Sequence, residues 1–310
     1  MGGWKDKGFS IDDIAGKLAD ETLPSNIGDP GVGSAPNGPL LPEKPPVDAS
    51  QWLPGVDVSN NNPGINWMRV SVAGKRFAIA KASGDETASN QFFDQDFADN
   101  WASIKGAGMT RGAYHYAKPS RVSPAKSVTT FEEALRRVGG LQPGDLVALD
   151  MEDPDVPSGT SLAQWTAEWL DLARTVLGVT PIIYTGNYYI RDHNLVGLDA
   201  YPLWLASYQD TLPPAPTEWP ISQFKFWQYS QDGQVPGIGK ALEDWFLGTA
   251  DDLRQLGFSP GVITLPPEPT DPVVSLQDRT WALAEEWRRE GWPWVEQGLK
   301  AIVALQKGDK

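Results

Sequence analysis

The 310-residue sequence contains no cysteine. A disulfide scaffold, a thiolate nucleophile and a zinc–thiolate site are therefore excluded. Histidine is almost as scarce, because His115 and His193 are the only two and lack metal-ligand spacing. The sequence also lacks a phosphate-cradling glycine loop. Oxygen and imidazole chemistry remain open to this chain.

Positive charge is also in short supply. Forty acidic residues against 26 basic ones give a formal net charge of −14, which repels nucleic acid and anionic membrane surfaces. No stretch is apolar over the roughly 18 residues that a membrane span needs, and the first residues lack the apolar core of a signal peptide. We therefore expect no nucleic-acid partner, no membrane span and no export by such a leader.

Proline-rich and glycine-rich stretches divide the chain. Residues 1–53 are predicted to hold a short helix, opened by a capping box at Ser10–Asp13, and a linker. Residues 259–274 form a second, proline-rich linker, and residues 275–310 an amphipathic, tryptophan-rich helical tail. These helices are too small to form a core alone, so we expect them to dock on a second copy, the central domain or another protein.

The central segment, residues 54–258, alternates short apolar runs with amphipathic stretches. Strands are predicted at 54–58, 76–82, 111–117, 145–151, 181–185, 202–207, 224–230 and 239–243, and helices at 91–107, 124–138 and 161–177. Alternating strands and helices indicate a parallel sheet with helices outside, and eight strands can close a barrel. The predicted fold class is α/β, an irregular TIM-like barrel.

A pair of carboxylates, Asp150 and Glu152, follows the apolar run that starts at Leu146. Strand alternation places both on one face and Met151 on the other, at the barrel mouth. Glycoside hydrolysis needs such a pair, because one acid protonates the leaving oxygen while a second supports the positive charge on the sugar. Their mutual repulsion should raise one pKa. Taken alone, the pair could also be a solvated strand end.

Two further acids lie near the ends of the first and last predicted strands, Asp57 and Asp244. A closed barrel brings these strands together beside one mouth. The i, i+2 spacing of the central pair is about 6.6 Å, between the ~5–5.5 Å of a direct nucleophile and the ~6.5–9.5 Å of an inverting base, so the stereochemistry stays open. His115 is expected to be a hydrogen-bonded residue of the barrel interior.

From about residue 54 to residue 248, an ordered series of short segments resembles glycoside hydrolase family 25, the Chalaropsis-type lysozymes of phage endolysins and bacterial autolysins. The segments are Gly55–Ser59, Ile65–Trp67, Phe77–Ala82, Gly112–Tyr116, Asp150–Glu152, Pro181–Thr185, Leu203–Ala206 and Trp227–Tyr229. Each segment is weak alone, and their shared order and spacing make the resemblance specific.

The resemblance implies a (β/α)5(β)3 barrel that hydrolyses the β-1,4 bond from N-acetylmuramic acid to N-acetylglucosamine, with no metal or organic cofactor. By position, Glu152 corresponds to the general acid. Asp150 corresponds to its partner, which would orient the substrate's acetamido group as an internal nucleophile. Asp57 corresponds to a supporting carboxylate in the same mouth, and Asp244 is predicted to act beside it.

Substrate contacts also follow from the resemblance. Four aromatic residues match positions that line the family's groove, although packing of the barrel is an equally good role for them: Tyr114, Tyr184, Trp204 and Trp227. Lys81, in one of the matching segments, is predicted to bind substrate with them.

Two departures from the family pattern stand out. The family closes with a D-x-N-x-F-x-G-like stretch, and alignment on Phe246 and Gly248 places Leu242 at its Asp and Asp244 at its Asn. Asp244 should then approach the site from one pleat further along, with Glu243 pointing away, which leaves open whether activity is complete. After Lys81 the family often has Ala-Thr-Glu-Gly where this chain has Ala-Ser-Gly-Asp85, and we expect altered groove contacts there.

Two functions compete. The first is an endolysin or virion-borne muramidase acting on bacterial peptidoglycan, located in the phage virion or in the host cytoplasm with holin-dependent access to the wall. The second is a phage structural or minor tail protein whose barrel binds the wall or cuts it locally. Residues 1–20 and 275–310 favour the second somewhat, because they suit self-association or contact with phage-particle proteins. A bacterial wall-remodelling enzyme is a third and weaker alternative.

Overall fold

The structure is a computed structural model that describes residues 48–87 and 89–260. The predicted helix within residues 1–20 and the predicted tail at 275–310 lie outside the described residues, as does most of the second linker. Their boundaries therefore stay predictions. Within the described ranges, no helix is long and apolar enough to cross a membrane.

Nine strands form in the described residues, and eight of them close into a barrel. The strands are β1 (Leu53–Val58), β2 (Phe77–Thr87), β3 (Asn90–Phe93), β4 (Thr110–Tyr116), β5 (Leu146–Asp150), β6 (Ile182–Gly186), β7 (Leu203–Ala206), β8 (Phe224–Val235) and β9 (Gly239–Phe246). β1 pairs with both β2 and β9, which closes the ring, while β3 forms a hairpin with β2 outside it. β9 runs antiparallel to its two neighbours, and the other barrel neighbours are parallel. The predicted α/β barrel is confirmed.

Six α-helices accompany these strands in the described residues. They are α1 (Trp67–Val72), α2 (Phe97–Gly106), α3 (Pro124–Arg137), α4 (Ala163–Leu177), α5 (Asn187–Asp192) and α6 (Ala250–Leu256). The first five lie between successive parallel strands from β1 to β7, whereas no α-helix separates β7, β8 and β9. The predicted helix at 91–107 is wrong at its start, because residues 90–93 pair with β2 and α2 begins only at Phe97. The short helices α1, α5 and α6 span too few turns for periodicity to reveal them.

Apolar side chains fill two layers. One lies between the sheet and the helices, and the other fills the barrel interior. The interior residues include Phe77, Ile79, Leu146, Ala148, Ile182, Phe226 and Phe246, with Leu253 of α6 packed against them. The Phe77 ring lies so close to Gly55 that a Cβ there would be 2.3 Å from the ring, so only glycine fits. Along the parallel strands the interior residues are apolar first and polar near the carboxyl ends, which leaves the mouth for chemistry.

Candidate active site

A small cavity opens where the parallel strands end. It is lined by Asp57, Tyr114, Asp150, Glu152, Tyr184, Trp204, Gln228 and Leu242. These residues come from seven of the eight barrel strands or the positions just after them. The fold thus brings together six of the nine residues that the sequence analysis selected, although they span about 150 positions of the chain.

The carboxyl pair lies on one face, as strand alternation predicts. Asp150 is the last residue of β5, and Glu152 follows two positions later. Met151 between them is fully buried in the layer of side chains outside the barrel. Asp150 is buried and its Oδ1 atom has no hydrogen-bond partner among the described residues, whereas Glu152 keeps contact with solvent. The pair therefore offers one shielded acceptor and one accessible acid.

Burial raises the pKa of each carboxyl group in this cavity. Burial and the charge of Asp57 raise the pKa of Glu152 to about 7, although Lys81 and the Tyr184 hydroxyl oppose the shift. Burial raises the pKa of Asp57 to about 6. Burial and the charge of Glu152 raise the pKa of Asp150 well above its usual range. The carboxyl groups of the cavity therefore retain protons to higher pH than exposed carboxyl groups do.

Lys81 supplies positive charge beside the pair. Its charge lowers the pKa of both Asp150 and Glu152. Its ammonium nitrogen lies 4.9 Å from the centre of the Tyr116 ring and 5.4 Å from that of Phe92, within the range of cation–π attraction. The two rings hold the cation near the carboxyl pair, although Lys81 is not among the residues that line the cavity. Its contact with substrate stays a prediction.

Gln228, which sequence reasoning missed, connects the groups around the cavity. Its amide nitrogen donates to Oδ2 of Asp57 at 2.7 Å. Its Oε1 accepts from the hydroxyl groups of Tyr184, at 3.0 Å, and Tyr208, at 2.8 Å. One neutral side chain thus fixes a carboxylate and two phenols, and it is buried where water cannot compete for these bonds.

Trp227, a predicted groove residue, is not brought to this cavity. Its ring belongs to the apolar layer outside the barrel, and its indole nitrogen donates to the carbonyl oxygen of Ser207 at 2.7 Å. Phe226 lies in the barrel interior, so strand alternation turns Trp227 outward and Gln228 inward. Gln228, the residue after Trp227, therefore lines the site instead of the tryptophan.

The departure in β9 has a clear structural outcome. Leu242 lines the cavity, and Asp244 lies beneath it, fully buried, where its Oδ1 accepts a 2.8 Å hydrogen bond from the Trp204 indole. Glu243 points away and forms a 2.6 Å ion pair with Lys75. Asp244 therefore approaches from one pleat further along, as expected, but does not line the cavity surface.

The segment after Lys81 turns its acid away from the cavity. Asp85 is buried outside the barrel, where Oδ2 accepts from the Ser127 hydroxyl at 2.8 Å and from the Lys118 amide at 3.1 Å. Whether the groove contacts of this segment differ from those of the family stays a prediction. His115 joins this cluster, 2.8 Å from both Ser83 and Ser127 through its two ring nitrogens. His115 is hydrogen-bonded as expected, but it lies between sheet and helices, because alternation turns it away from the barrel interior.

A larger depression lies at the opposite end of the barrel, and four of its five charged lining residues form ion pairs. Asp145 there accepts two hydrogen bonds from Arg111, and Asp251 pairs with Arg254. Within the described ranges, no group of three or more metal-ligating residues is arranged to hold a metal ion. The unpaired carboxyl groups at the mouth therefore mark the candidate site.

Comparison with known proteins agrees with this geometry. The model of the family described as glycosyl hydrolases family 25 matches residues 56–238. The uncharacterized protein YegX of Escherichia coli is 32% identical over 71% of this chain and 78% of its own length. Lysozyme M1 of Streptomyces globisporus is 31% identical over 73% of this chain and 77% of its own.

A solved structure resembles the barrel as well. The bacterial lysozyme of Streptomyces coelicolor is 30% identical, covers 68% of this chain and 98% of its own, and superposes with a TM-score of 0.60. The family match contains the carboxyl pair and Asp57 but ends before β9, the strand that carries Leu242 and Asp244. Since the match spans more than half of the chain, the chain belongs to glycoside hydrolase family 25.

Proposed function

We propose that this glycoside hydrolase is an N-acetylmuramidase that cuts the β-1,4 bond from N-acetylmuramic acid to N-acetylglucosamine in bacterial peptidoglycan. Family membership and the similarity to proteins named as lysozymes support this substrate. The observation that carries the proposal is the juxtaposition of Asp150 and Glu152 at the barrel mouth. Two carboxyl groups with different exposure can take different roles in glycoside hydrolysis.

Glu152 acts as the general acid. It is the member of the pair that solvent reaches, so a glycosidic oxygen in the cavity can meet it. Its pKa of about 7 keeps a proton available near neutral pH, and transfer of that proton neutralises the charge on the departing sugar oxygen. As pH rises through about 7, Glu152 loses this proton and activity should fall.

Asp150 and Asp57 stabilise the positive charge that develops on the sugar ring. The unpartnered Oδ1 of Asp150 is a free acceptor, suited to the N–H of the substrate's acetamido group. An acetamido group held in this way can direct its carbonyl oxygen at the anomeric carbon. Asp57, fixed by Gln228, adds negative charge from the adjacent wall.

Aromatic rings at the rim give the sugars a surface to lie on. Tyr208 is 44% exposed and Tyr188 is 52% exposed, and the charge of Glu152 reaches both phenols. Tyr208 is also held by its bond to Gln228. By contrast, Trp204 is 2% exposed, so its role is to pack the barrel and to hold Asp244.

Product analysis tests the proposed reaction. Purified protein and its Glu152→Gln variant would be incubated with several peptidoglycans, and new reducing ends identified by mass spectrometry. Reducing-end N-acetylmuramic acid from the wild type alone is the expected result. Reducing-end N-acetylglucosamine would assign the other glycosidic bond, and no product from any wall would contradict the catalytic proposal.

We further propose that the chain acts in a phage context, in release from the host or in the virion. Support comes from the sequence alone, in the short amphipathic segments 1–20 and 275–310 that suit assembly. Light scattering of the intact chain and of residues 54–258 tests this role. An oligomeric intact chain with a monomeric barrel is expected, whereas a monomeric intact chain would contradict self-association.

A further inference from the structure

Asp244 is the buried acid that the proposed reaction leaves without a role. It lies on β9 opposite Gly55 of β1 and Gln228 of β8, with no exposed surface. The Trp204 indole donates to its Oδ1 at 2.8 Å, while Oδ2 receives no hydrogen bond from a donor within the described residues. A carboxyl oxygen buried without a donor is costly if it carries charge, because neither water nor protein solvates it.

A second buried carboxyl group, Asp57, lies beside it, because Gln228, the residue opposite Asp244 on β8, donates its amide N–H to Asp57. Burial raises the pKa of both acids, and the hydrogen bond between them raises the pKa of Asp244 further while it opposes the shift of Asp57. A hydrogen bond between two carboxyl groups requires one proton between them, since two carboxylates offer only acceptors. Two ionised groups in this position would also repel each other in a medium of low dielectric constant. One of the two acids is therefore protonated.

The surrounding donors decide which acid keeps the proton. Asp57 receives the amide N–H of Gln228 at 2.7 Å on Oδ2, and such donors stabilise an anion. Asp244 receives one indole N–H and lies deeper, at 0% exposure against 4% for Asp57. The proton is accordingly more stable on Asp244 and the negative charge on Asp57.

We propose that Asp244 is held as a neutral carboxylic acid that donates its proton to Asp57, and so positions the Asp57 carboxylate from beneath the cavity. Gln228 holds the same carboxylate through its amide, so two neutral donors fix one anion. Asp244 is thus a positioning residue that acts through Asp57. Its effect on the reaction rests on the proposed function, whereas its protonation does not.

Other charged groups near Asp244 do not reverse this assignment. Burial and the charge of Asp57 raise its pKa well above the usual range, and Lys75 opposes the shift. Lys75 forms an ion pair with Glu243, and the negative charge of Glu243 offsets its positive charge. From β8 and the segment after β7, the phenols Tyr229 and Tyr208 lie near Asp244, and both are neutral at ordinary pH because burial raises their pKa values well above the usual range.

An asparagine in this position tests the proposal without changing shape. The Asp244→Asn side chain can donate an amide N–H to Asp57 and still accept from Trp204. Asp244→Leu retains similar bulk but removes both interactions. Glu243→Gln is a matched control, because it changes the neighbouring acid of the same strand on the opposite face.

Infrared difference spectra measure protonation directly and need no substrate. At neutral pH, the spectrum of wild type minus Asp244→Asn should show the C=O stretch of a protonated carboxylic acid. The spectrum of wild type minus Glu243→Gln should show carboxylate bands instead. Carboxylate bands in the Asp244 difference spectrum would overturn the proposal, whatever the activity of the protein.

Kinetics then separate positioning from mere packing. Asp244→Asn should keep kcat within about threefold of wild type, while Asp244→Leu should lower it about 10- to 100-fold through loss of a bond to a charged group. An Asp244→Asn variant as impaired as Asp244→Leu would overturn the positioning role. If wild type cleaves no wall, the proposed function fails, and the infrared result still decides whether Asp244 is neutral.

Discussion

The acidic residues at the two ends of β5 lie in contrasting environments. Asp145, just before the strand, accepts two hydrogen bonds from the Arg111 guanidinium, at 2.9 and 2.8 Å, and one from the backbone N–H of Gln142 at 2.7 Å. The Arg111 guanidinium in turn lies 3.8 Å from the centre of the Trp101 ring. Asp150, at the other end, has an unpartnered oxygen, and burial and the charge of Glu152 raise its pKa. Only four residues of the strand lie between a carboxylate whose charge is paired and a carboxyl group crowded by other acids.

This difference separates stability from chemistry. At the base, a bidentate pair satisfies both charges, so removing either partner should destabilise the fold. At the mouth, the buried acids repel each other, and the closed barrel holds them together at a cost in stability. The contrast predicts that amide substitutions at the mouth reduce activity without loss of stability, and that substitutions at the base do the reverse.

The largest effect is expected at Glu152. Glu152→Gln should lower kcat by about 10²- to 10⁴-fold, because the amide cannot donate the catalytic proton. Folding raises the pKa of Glu152, so pH affects the stability of the folded protein through this group. The stability that Glu152 contributes is fully present below about pH 4.5 and is lost as pH rises through about 7. The variant should therefore equal or exceed the wild-type Tm at pH 8, with a smaller gain at pH 5. A Tm of Glu152→Gln below that of wild type at pH 8 would contradict the claim that the acids at the mouth reduce stability.

The next effect is expected at the base. Arg111→Met leaves the Asp145 carboxylate buried without its partner, so the free energy of unfolding should fall by about 3–5 kcal/mol in denaturant titrations. Arg191→Met is a matched control, since that exposed ion pair with Asp192 should contribute about 1 kcal/mol or less. Below the unfolding transition, kcat of Arg111→Met should match wild type. A loss of kcat in Arg111→Met without loss of stability would contradict the claim that the ion pair at the base stabilises the fold.

A smaller effect is expected at Gln228. Gln228→Leu removes the donor to Asp57 and the acceptor for two phenols, so kcat should fall about 10- to 100-fold. Gln228→Glu restores an acceptor of the same size but places a carboxylate beside Asp57, and it should recover little activity at neutral pH. Steady-state kinetics at several pH values measure both. A Gln228→Leu variant with the wild-type kcat would show that Gln228 does not contribute to catalysis.

The smallest effect is expected at the rim. Tyr208→Phe loses one partly exposed hydrogen bond and keeps the ring, so kcat/KM should fall about two- to fivefold. Tyr208→Ala also loses the surface proposed for sugar and should raise KM further while changing kcat less. Binding of soluble muropeptides, measured by calorimetry, checks the difference between the two variants. Equal affinities would exclude a sugar contact by the ring.

Much of the barrel and the central pair could be predicted from sequence. Apolar runs bounded by polar residues locate the eight barrel strands, and a period of two puts Asp150 and Glu152 on one face. The 90–93 segment could not be assigned by pattern, because its strand character depends on pairing with the distant β2. Local periodicity contains no information about such partners.

The rest of the site depended on contacts across the barrel. Gln228 has no distinctive chemistry until Asp57, 171 residues away, accepts its amide N–H. The family resemblance predicts Trp227 as a groove residue, although the alternation of side chains counted from Phe226 turns it outward. The neutral role of Asp244 likewise requires the knowledge that Asp57 and Trp204 meet it in the folded barrel.

The central claim is that the mouth of the barrel holds a catalytic proton on Glu152 near neutral pH. Carbon-13 NMR titration of protein labelled at glutamate carboxyl groups tests it without substrate. One resonance should titrate near pH 7, far above the ordinary glutamate value near 4.3, and should be missing from Glu152→Gln. A Glu152 resonance that titrates near 4.3 would contradict the account, because the group would then be an ordinary carboxylate at the pH of the reaction.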